Sequence, residues 1–442
     1  MAGAAADREL TTRFAIASGT DDAAIRRLLR ENPMRGAVSM AFAREPCYFD
    51  GADIAGGEDQ TIAAFDNGRL ACVGRCTRRE SWVNGRATRT GYLAELRLDT
   101  AACGRFRIVR DGYEFFREQQ RDDPAEFYFT SIAADNARAR RLLESGARGL
   151  PRYDFLAGLD TLLIAVPRGL RRHALQVERA TPRRIPDMVR VLNSQRRQLA
   201  AVWTRERLLA LERHGLPLDR FLLALDGGEV VACGAVWDQR AFRQTVIRGY
   251  SRPLALMRPL VNFAGRILGT PRLPVVGSAL AHAFLSPLGF ADGAEALLPD
   301  FVAASFPLAA QCGAEFLTLA VPSDDPRLPA LRRCFSTRTW TSRLYQVCWP
   351  EMCRNAATQQ SPGQAPKARS SGSRSETGEA LKGLDIGDAH PELVVPHFQC
   401  SSRDDADPGR RSSLARPGLC CAAPLGLPRA LRGPFLPDVA LL

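Results

Sequence analysis

The stretch Leu98-Asp99-Thr100-Ala101-Ala102-Cys103-Gly104-Arg105-Phe106-Arg107 combines the residue types that a bound phosphate needs. It is expected to join a strand, Thr88–Leu98, to a helix, Arg107–Gln120. A loop that opens a helix leaves several backbone N–H groups without partners. Their partial positive charge, added to the helix dipole, favours a pyrophosphate. Gly104 lets the backbone approach such a ligand closely, and Arg105 and Arg107 supply charge. An ordinary strand-to-helix turn on a basic surface would carry the same residues.

Other chemistries find less support. The net charge of +12 suggests nucleic acid at first, but only two lysines occur, Lys367 and Lys382. The arginines are scattered through predicted helices, as at Arg26, Arg27 and Arg30, rather than gathered into one stripe. A solvated surface explains them, and the sign of the charge suits anionic ligands generally. The twelve cysteines and five histidines show no CxxC, HxxxH or HExxH spacing, so neither a metal site nor a disulfide framework is expected. No uninterrupted apolar run is long enough to span a membrane, and Met1–Thr12 shows no secretory signal. A reducing cytoplasm is the expected compartment.

The elements that would position the loop occur twice. Phe65-Asp66-Asn67-Gly68-Arg69-Leu70 matches Leu225-Asp226-Gly227-Gly228-Glu229-Val230 at a constant spacing. Asn-Gly and Gly-Gly supply the positive φ angles of tight hairpins. The same spacing pairs strand Phe14–Ser18 with Ala174–Glu178. A capped amphipathic helix follows each, from Thr20 and from Thr181-Pro182. Further along, Phe127–Ile132 matches Phe316–Val321 at a larger spacing, which implies an insert near Thr245–Val275.

Each unit reads as strand, helices, hairpin, long strand, glycine-containing loop, helix, strand, helix, strand. In the first unit the second helix is expected near Arg35–Arg44 and the last strand at Phe155–Val166. The fold class is α/β (α+β), with mixed, mostly antiparallel sheets flanked by helices. The expected divisions are 12–168, 174–352 with its insert near 245–275, and a tail, 353–442. The Ser-, Pro-, Gly- and Arg-rich tail reads as disordered.

Leu96-Arg97-Leu98-Asp99, Cys103-Gly104-Arg105-Phe106-Arg107 and Gly112-Tyr113 resemble the fourth strand and pyrophosphate loop of the GNAT superfamily of N-acetyltransferases. Ser131–Asn136, with Ala139, Leu142, Leu143 and Gly146, is similar to that family's fifth strand and following helix. The resemblance covers residues 12–166 and, more faintly, 174–350. It implies a tandem arrangement with a degenerate second copy. It also implies acetyl-CoA or another acyl-CoA as co-substrate, with amides of Gly104, Arg105, Phe106 and Arg107 on the pyrophosphate. The backbone of Leu96 and Leu98 would pair with the pantetheine arm, and Asn136 would contact it from the helix start. The sequence departs from the family pattern at Phe106, which replaces a glycine, and at Leu143, where many members place a tyrosine that protonates the departing thiolate.

Acyl transfer to an amine needs a neutral nucleophile and usually a general base. Glu95 on the fourth strand is the candidate, with Tyr92 and Glu80 as alternatives; Tyr113 and Tyr128 read as packed aromatics. In the second unit, Gly289–Glu295 occupies the loop position with acidic residues, and Asp325 replaces the asparagine. That copy is expected to hold no CoA, while Asp238 and Arg243 could line a cleft between units. The expected activity is acyl-CoA-dependent N-acyl transfer to a small-molecule or peptide amine, without membrane or nucleic-acid partners. The alternatives are a non-catalytic acyl-CoA-binding or assembly module, and a tandem transferase acting on aminoacyl-tRNA or a cell-wall precursor.

Overall fold

The computed structural model describes residues 12–34, 36–102, 106–167, 169, 173–194, 198–268 and 272–349, and the structural statements below refer to these. The expected tail, 353–442, lies outside them.

In the first repeat the elements are β1 (Thr12–Ile16), α1 (Asp22–Glu31), β2 (Val38–Ala43), β3 (Glu58–Asp66), β4 (Arg69–Val83) and β5 (Arg86–Leu98). They continue with α2 (Phe106–Gln119), β6 (Phe127–Ala133), α3 (Ala137–Leu143) and β7 (Arg152–Ala165). The second repeat begins with β8 (Gln176–Arg179), α4 (Ile185–Asn193), α5 (Arg205–Ala210), β9 (Phe221–Asp226), β10 (Glu229–Trp237) and β11 (Gln244–Tyr250). It closes with α6 (Arg252–Leu268), β12 (His282–Phe290), α7 (Leu298–Gln311), β13 (Phe316–Pro322), α8 (Leu328–Cys334) and β14 (Thr337–Cys348).

Both hairpin turns form where the glycines stand. Asn67 and Gly68 sit at φ 51° and 77°, Gly227 and Gly228 at 57° and 86°, values that favour glycine and asparagine. In α1 the buried residues Ile25, Leu28 and Leu29 recur at helical spacing and pack on Ala63, Phe65, Leu70 and Val73. The alternate residues Ala64 and Cys72 face the other way, against Ile108 of α2. The first-repeat sheet is therefore covered by α1 on one face and α2 on the other.

Twelve strands form one sheet in the order β1-β3-β4-β5-β6-β14-β7-β13-β12-β10-β9-β8. The series β1-β3-β4-β5-β6 and β8-β9-β10-β12-β13 run inward from opposite edges with the same connectivity. The last strand of each repeat crosses to the other: β14 pairs with β6, and β7 with β13. Both repeats accordingly fall within one compact unit. Among the described residues no helix is long and apolar enough to cross a membrane.

Asp160 on β7 fastens the exchanged strands. Its carboxylate accepts hydrogen bonds from Ser323, Thr341 and Arg332, each at 2.9 Å. Asp160→Ala removes a buried carboxylate shared by three partners and is expected to cost about 1 kcal/mol, because Ser323 and Thr341 are exposed and Arg332 is half-exposed, so water replaces the lost bonds. Urea unfolding reads this directly, and an unshifted midpoint would remove Asp160 from that role.

The segment expected as a helix near Arg35–Arg44 is instead strand β2. It pairs antiparallel with β11, Ala43 opposite Gln244 and Val38 opposite Tyr250. A partner some 200 residues away overrides the local pattern. That partner lies at the start of the stretch expected as an insert, near 245–275, which also carries α6.

Candidate functional site

The sheet opens at one place in the first repeat. β5 and β6 pair in parallel only over Thr90–Leu93 and Phe127–Thr130. Beyond that, β5 stays with β4 and β6 with β14, so the two strands part. At the start of the opening β5 carries a bulge: Arg75 pairs with Ala94, but Val73 with Arg97. Glu95 sits in the bulge at φ 56°, a left-handed conformation uncommon for a non-glycine residue. β12 and β13 part in the same way after His282–Phe284 and Phe316–Thr318. There, however, Leu285, Phe290, Leu319 and Val321 are buried in one cluster with Phe301 and Leu331.

The first-repeat opening leads into a cavity of about 400 Å³ lined from both faces of the sheet. Ile108, Val109 and Phe116 of α2 wall one side; Met40 and Phe42 of β2 and Thr245 of β11 roof the other. Asn136, Ala139 and Leu143 border it from α3 and its start, and Arg243, His282 and Thr318 close it from the second repeat.

Glu95 lies where the two faces meet. Arg44 Nε donates to Oε1 at 2.9 Å, a second bond comes from Arg44 Nη2, and the Tyr48 hydroxyl donates to Oε2 at 2.9 Å. Burial opposes ionisation of this carboxyl, but Arg44, Arg75 and the bond from Tyr48 outweigh it and hold it well below the ordinary carboxylate range. Arg75 is in turn clamped by both oxygens of Asp59, at 3.0 and 2.6 Å. Arg243 falls to about 9 through burial and repulsion from Arg44. His282 falls to about 4 through burial and then Arg243 and Arg240, so its imidazole is neutral at physiological pH. Its Nδ1 lies 2.9 Å from Thr318 Oγ1.

The residues singled out from sequence separate into groups. Glu95, Tyr92, Leu96 and Asn136 line the cavity. The Tyr92 hydroxyl shares a 2.8 Å bond with Ser131, and burial raises its pKa. Asn136 caps α3, accepting from the Ala139 N–H at 3.1 Å. Leu98 packs beside Ala102 and Ile108. Phe106 and Arg107 open α2 outside the cavity lining, and Gly104 and Arg105 lie outside the described residues. Glu80 is exposed on β4, away from the cavity. Tyr128 is a packed aromatic whose oxygen accepts from the Ala125 N–H at 3.0 Å. Arg243 lines the cavity, whereas Asp238 lies outside the lining, bonded to Arg240 at 2.7 Å. In the second repeat, Asp325 is bonded to Arg327.

Sequence reasoning missed Arg44, Tyr48, His282 and Tyr153. Arg44 fell in a segment read as helix, and the lone histidine carried no local signal. Tyr153 and Tyr113 share a hydrogen bond between hydroxyls beside Leu143, and both line the cavity. Burial pushes Tyr113 up to about 12, so its hydroxyl keeps its proton at neutral pH. Among the described residues no group of three or more His, Cys, Asp or Glu is arranged to hold a metal ion.

No known family model and no curated protein matches the chain. Solved structures do. N-myristoyltransferase of Saccharomyces cerevisiae with bound myristoyl-CoA is similar at 11% identity and a TM-score of 0.51, over 76% of this chain and 79% of that one. A further structure of that enzyme, with myristoyl-CoA and inhibitors, matches at 12% identity and a TM-score of 0.51, over 77% and 82%. A GCN5-related N-acetyltransferase from Sphaerobacter thermophilus matches at 13% identity and a TM-score of 0.47, over 76% and 95%. At such identities the likeness is one of architecture alone: the chain shares its fold with N-myristoyltransferase.

Proposed function

We propose that this protein is an acyl-CoA-dependent N-acyltransferase, working from its first repeat, with acetyl-CoA as the default donor and a small amine as acceptor. The observation that carries this reading is the bulged opening between β5 and β6, continuous with a cavity reaching both faces of the sheet. The fold shared with an enzyme crystallised with myristoyl-CoA supports it.

In this reading the loop from Gly104 to Arg107 holds the pyrophosphate, and the pantetheine arm lies along Leu96 and Leu98 past Asn136. The thioester carbonyl then sits at the bulge, where backbone amides of β5 meet its developing negative charge. A neutral amine attacks, the C–N bond forms, and the C–S bond breaks to release CoA. The amine's proton needs an acceptor and the thiolate a donor. Glu95, kept ionised by Arg44 and Tyr48, is a weak base, and we assign it to holding the arginines in place. His282, whose neutral imidazole lines the cavity, is the group we assign to pass the proton on to water, since burial and Arg243 keep it from holding the proton itself. The Tyr113–Tyr153 pair beside Leu143 offers the donor phenol that Leu143 does not.

Acetyl-CoA is expected to raise the unfolding midpoint of the purified chain, and Gly104→Glu to abolish the rise by placing a carboxylate against the pyrophosphate. No shift at millimolar acetyl-CoA would refute the reading. The leucine at position 143 also favours a second reading, an acyl-CoA-binding module without turnover. A thermal shift without CoA release across a broad amine panel would select it.

A further inference from the structure

The stretch expected as an insert contains α6, and this helix is turned inside out. A surface helix normally packs its apolar stripe on the core and shows polar residues to water. In α6 it is polar side chains that hold the body. Arg258 Nε donates to the Leu273 carbonyl at 3.3 Å, and Asn262 bonds both the carbonyl and the N–H of Leu273, at 3.2 and 2.7 Å. On the opposite side Leu256, Leu260 and Phe263 recur at helical spacing and are 83, 59 and 63% exposed. Met257 flanks them, and Val275 and Val276, just past Leu273, are exposed as well. A cluster of large apolar side chains left in water marks a contact surface.

Charge says what that surface meets. From Gln244 to Ala291 the sequence holds no Asp or Glu but five arginines, Arg248, Arg252, Arg258, Arg266 and Arg272. Arg248, Arg252 and Arg272 are exposed, and among the described residues no carboxylate pairs with them. A second copy docked on this face would set the same arginines against one another, because a two-fold interface pairs a patch with itself. Like charges brought together there oppose association. Anionic headgroups instead supply the missing counter-charge.

We propose that α6 and the turn Val275–Ser278 form a docking surface for an anionic lipid membrane, with the helix lying in the headgroup layer. Such a helix needs an apolar side to enter the acyl boundary and cations to meet the headgroups. It does not span: its 17 residues include Arg258 and Pro259. The lack of a spanning segment, from which no membrane partner was expected, therefore does not bear on it. β11, which carries Thr245 of the cavity roof, ends just before α6, so a docked helix holds that roof close to the lipid. The surface is independent of the acyl-transfer reading.

The test is co-sedimentation of the full chain with vesicles of phosphatidylcholine alone or mixed with phosphatidylglycerol. The partition coefficient is expected to be on the order of a hundred-fold higher on the mixed vesicles, from about five-fold for each of the three exposed arginines. It should fall with added salt. The double variant Leu256→Asn, Phe263→Asn should lose on the order of ten-fold or more in binding to mixed vesicles, and Arg252→Gln about five-fold. None of these residues lines the cavity, so the unfolding midpoint and its shift with acetyl-CoA should not change. Equal binding to both kinds of vesicle overturns the proposal. So does full binding by the double variant, which would reduce the attraction to net charge. Failure to bind either vesicle overturns it too: a dimer that the double variant dissociates then assigns the face to a second copy, and a monomer assigns it to residues 353–442 of the same chain.

Discussion

Glu95→Gln is expected to lower the unfolding free energy by about 3 kcal/mol at neutral pH, because it leaves a buried guanidinium without its counter-charge. The side chains of Arg44 and Glu95 are only 7% and 14% exposed, so solvent screens the pair little. Glutamine can still accept one bond from Arg44 or Tyr48, which keeps the loss below that of a truncation. The pH dependence has a definite sign. The folded-state pKa of Glu95 is depressed, so its stabilisation is complete above the ordinary value of 4.5 and is lost as pH falls below it. Urea unfolding of both proteins should therefore show a gap that is widest at neutral pH and narrows in acid. A gap independent of pH would mean that the carboxylate's charge is not what stabilises the bulge. Pairing Glu95→Gln with Arg44→Met should recover part of the loss, since no buried cation is then left over.

Ser131→Trp is expected to abolish acyl-CoA binding. Ser131 follows Thr130, the last β6 residue paired with β5, and lines the cavity where the strands part. An indole there fills the opening through which the donor must pass. A ligand at a hundred times its Kd stabilises by about 2.7 kcal/mol, and the variant should lose that increment while still unfolding cooperatively when unliganded. Ser131→Ala removes only the bond to Tyr92 and should retain most of the increment. Titration calorimetry with acetyl-CoA makes the comparison direct. Wild-type affinity in Ser131→Trp would place the donor elsewhere.

The repeated hairpins were legible because their signal is local: Asn67-Gly68 and Gly227-Gly228 state a backbone requirement that few other residues meet. The apolar spacing of Ile25, Leu28 and Leu29 likewise announced α1 and its buried face. Val38–Ala43 carried no comparable signal. Its strand conformation comes from pairing with β11, and a short apolar run suits a helix or a strand until its partner is known. Glu95 was recognisable as a carboxylate on the fourth strand. Its partners, Arg44 and Tyr48, lie 51 and 47 residues earlier in the chain, so its protonation could not be read from its neighbours.

By itself the sequence determined the hairpin turns and the amphipathic helices. Each depends on residues within a few positions of one another, where periodicity and backbone propensity act. Only the tertiary structure decided that β7 and β14 change places, joining two sheets into one, because strand pairing is settled by partners distant in the chain. It likewise decided that one cavity draws its walls from both repeats, with Arg44 and Arg243 brought together by the β2–β11 register. Charge interactions fall off with distance in space, and that distance is set by the fold.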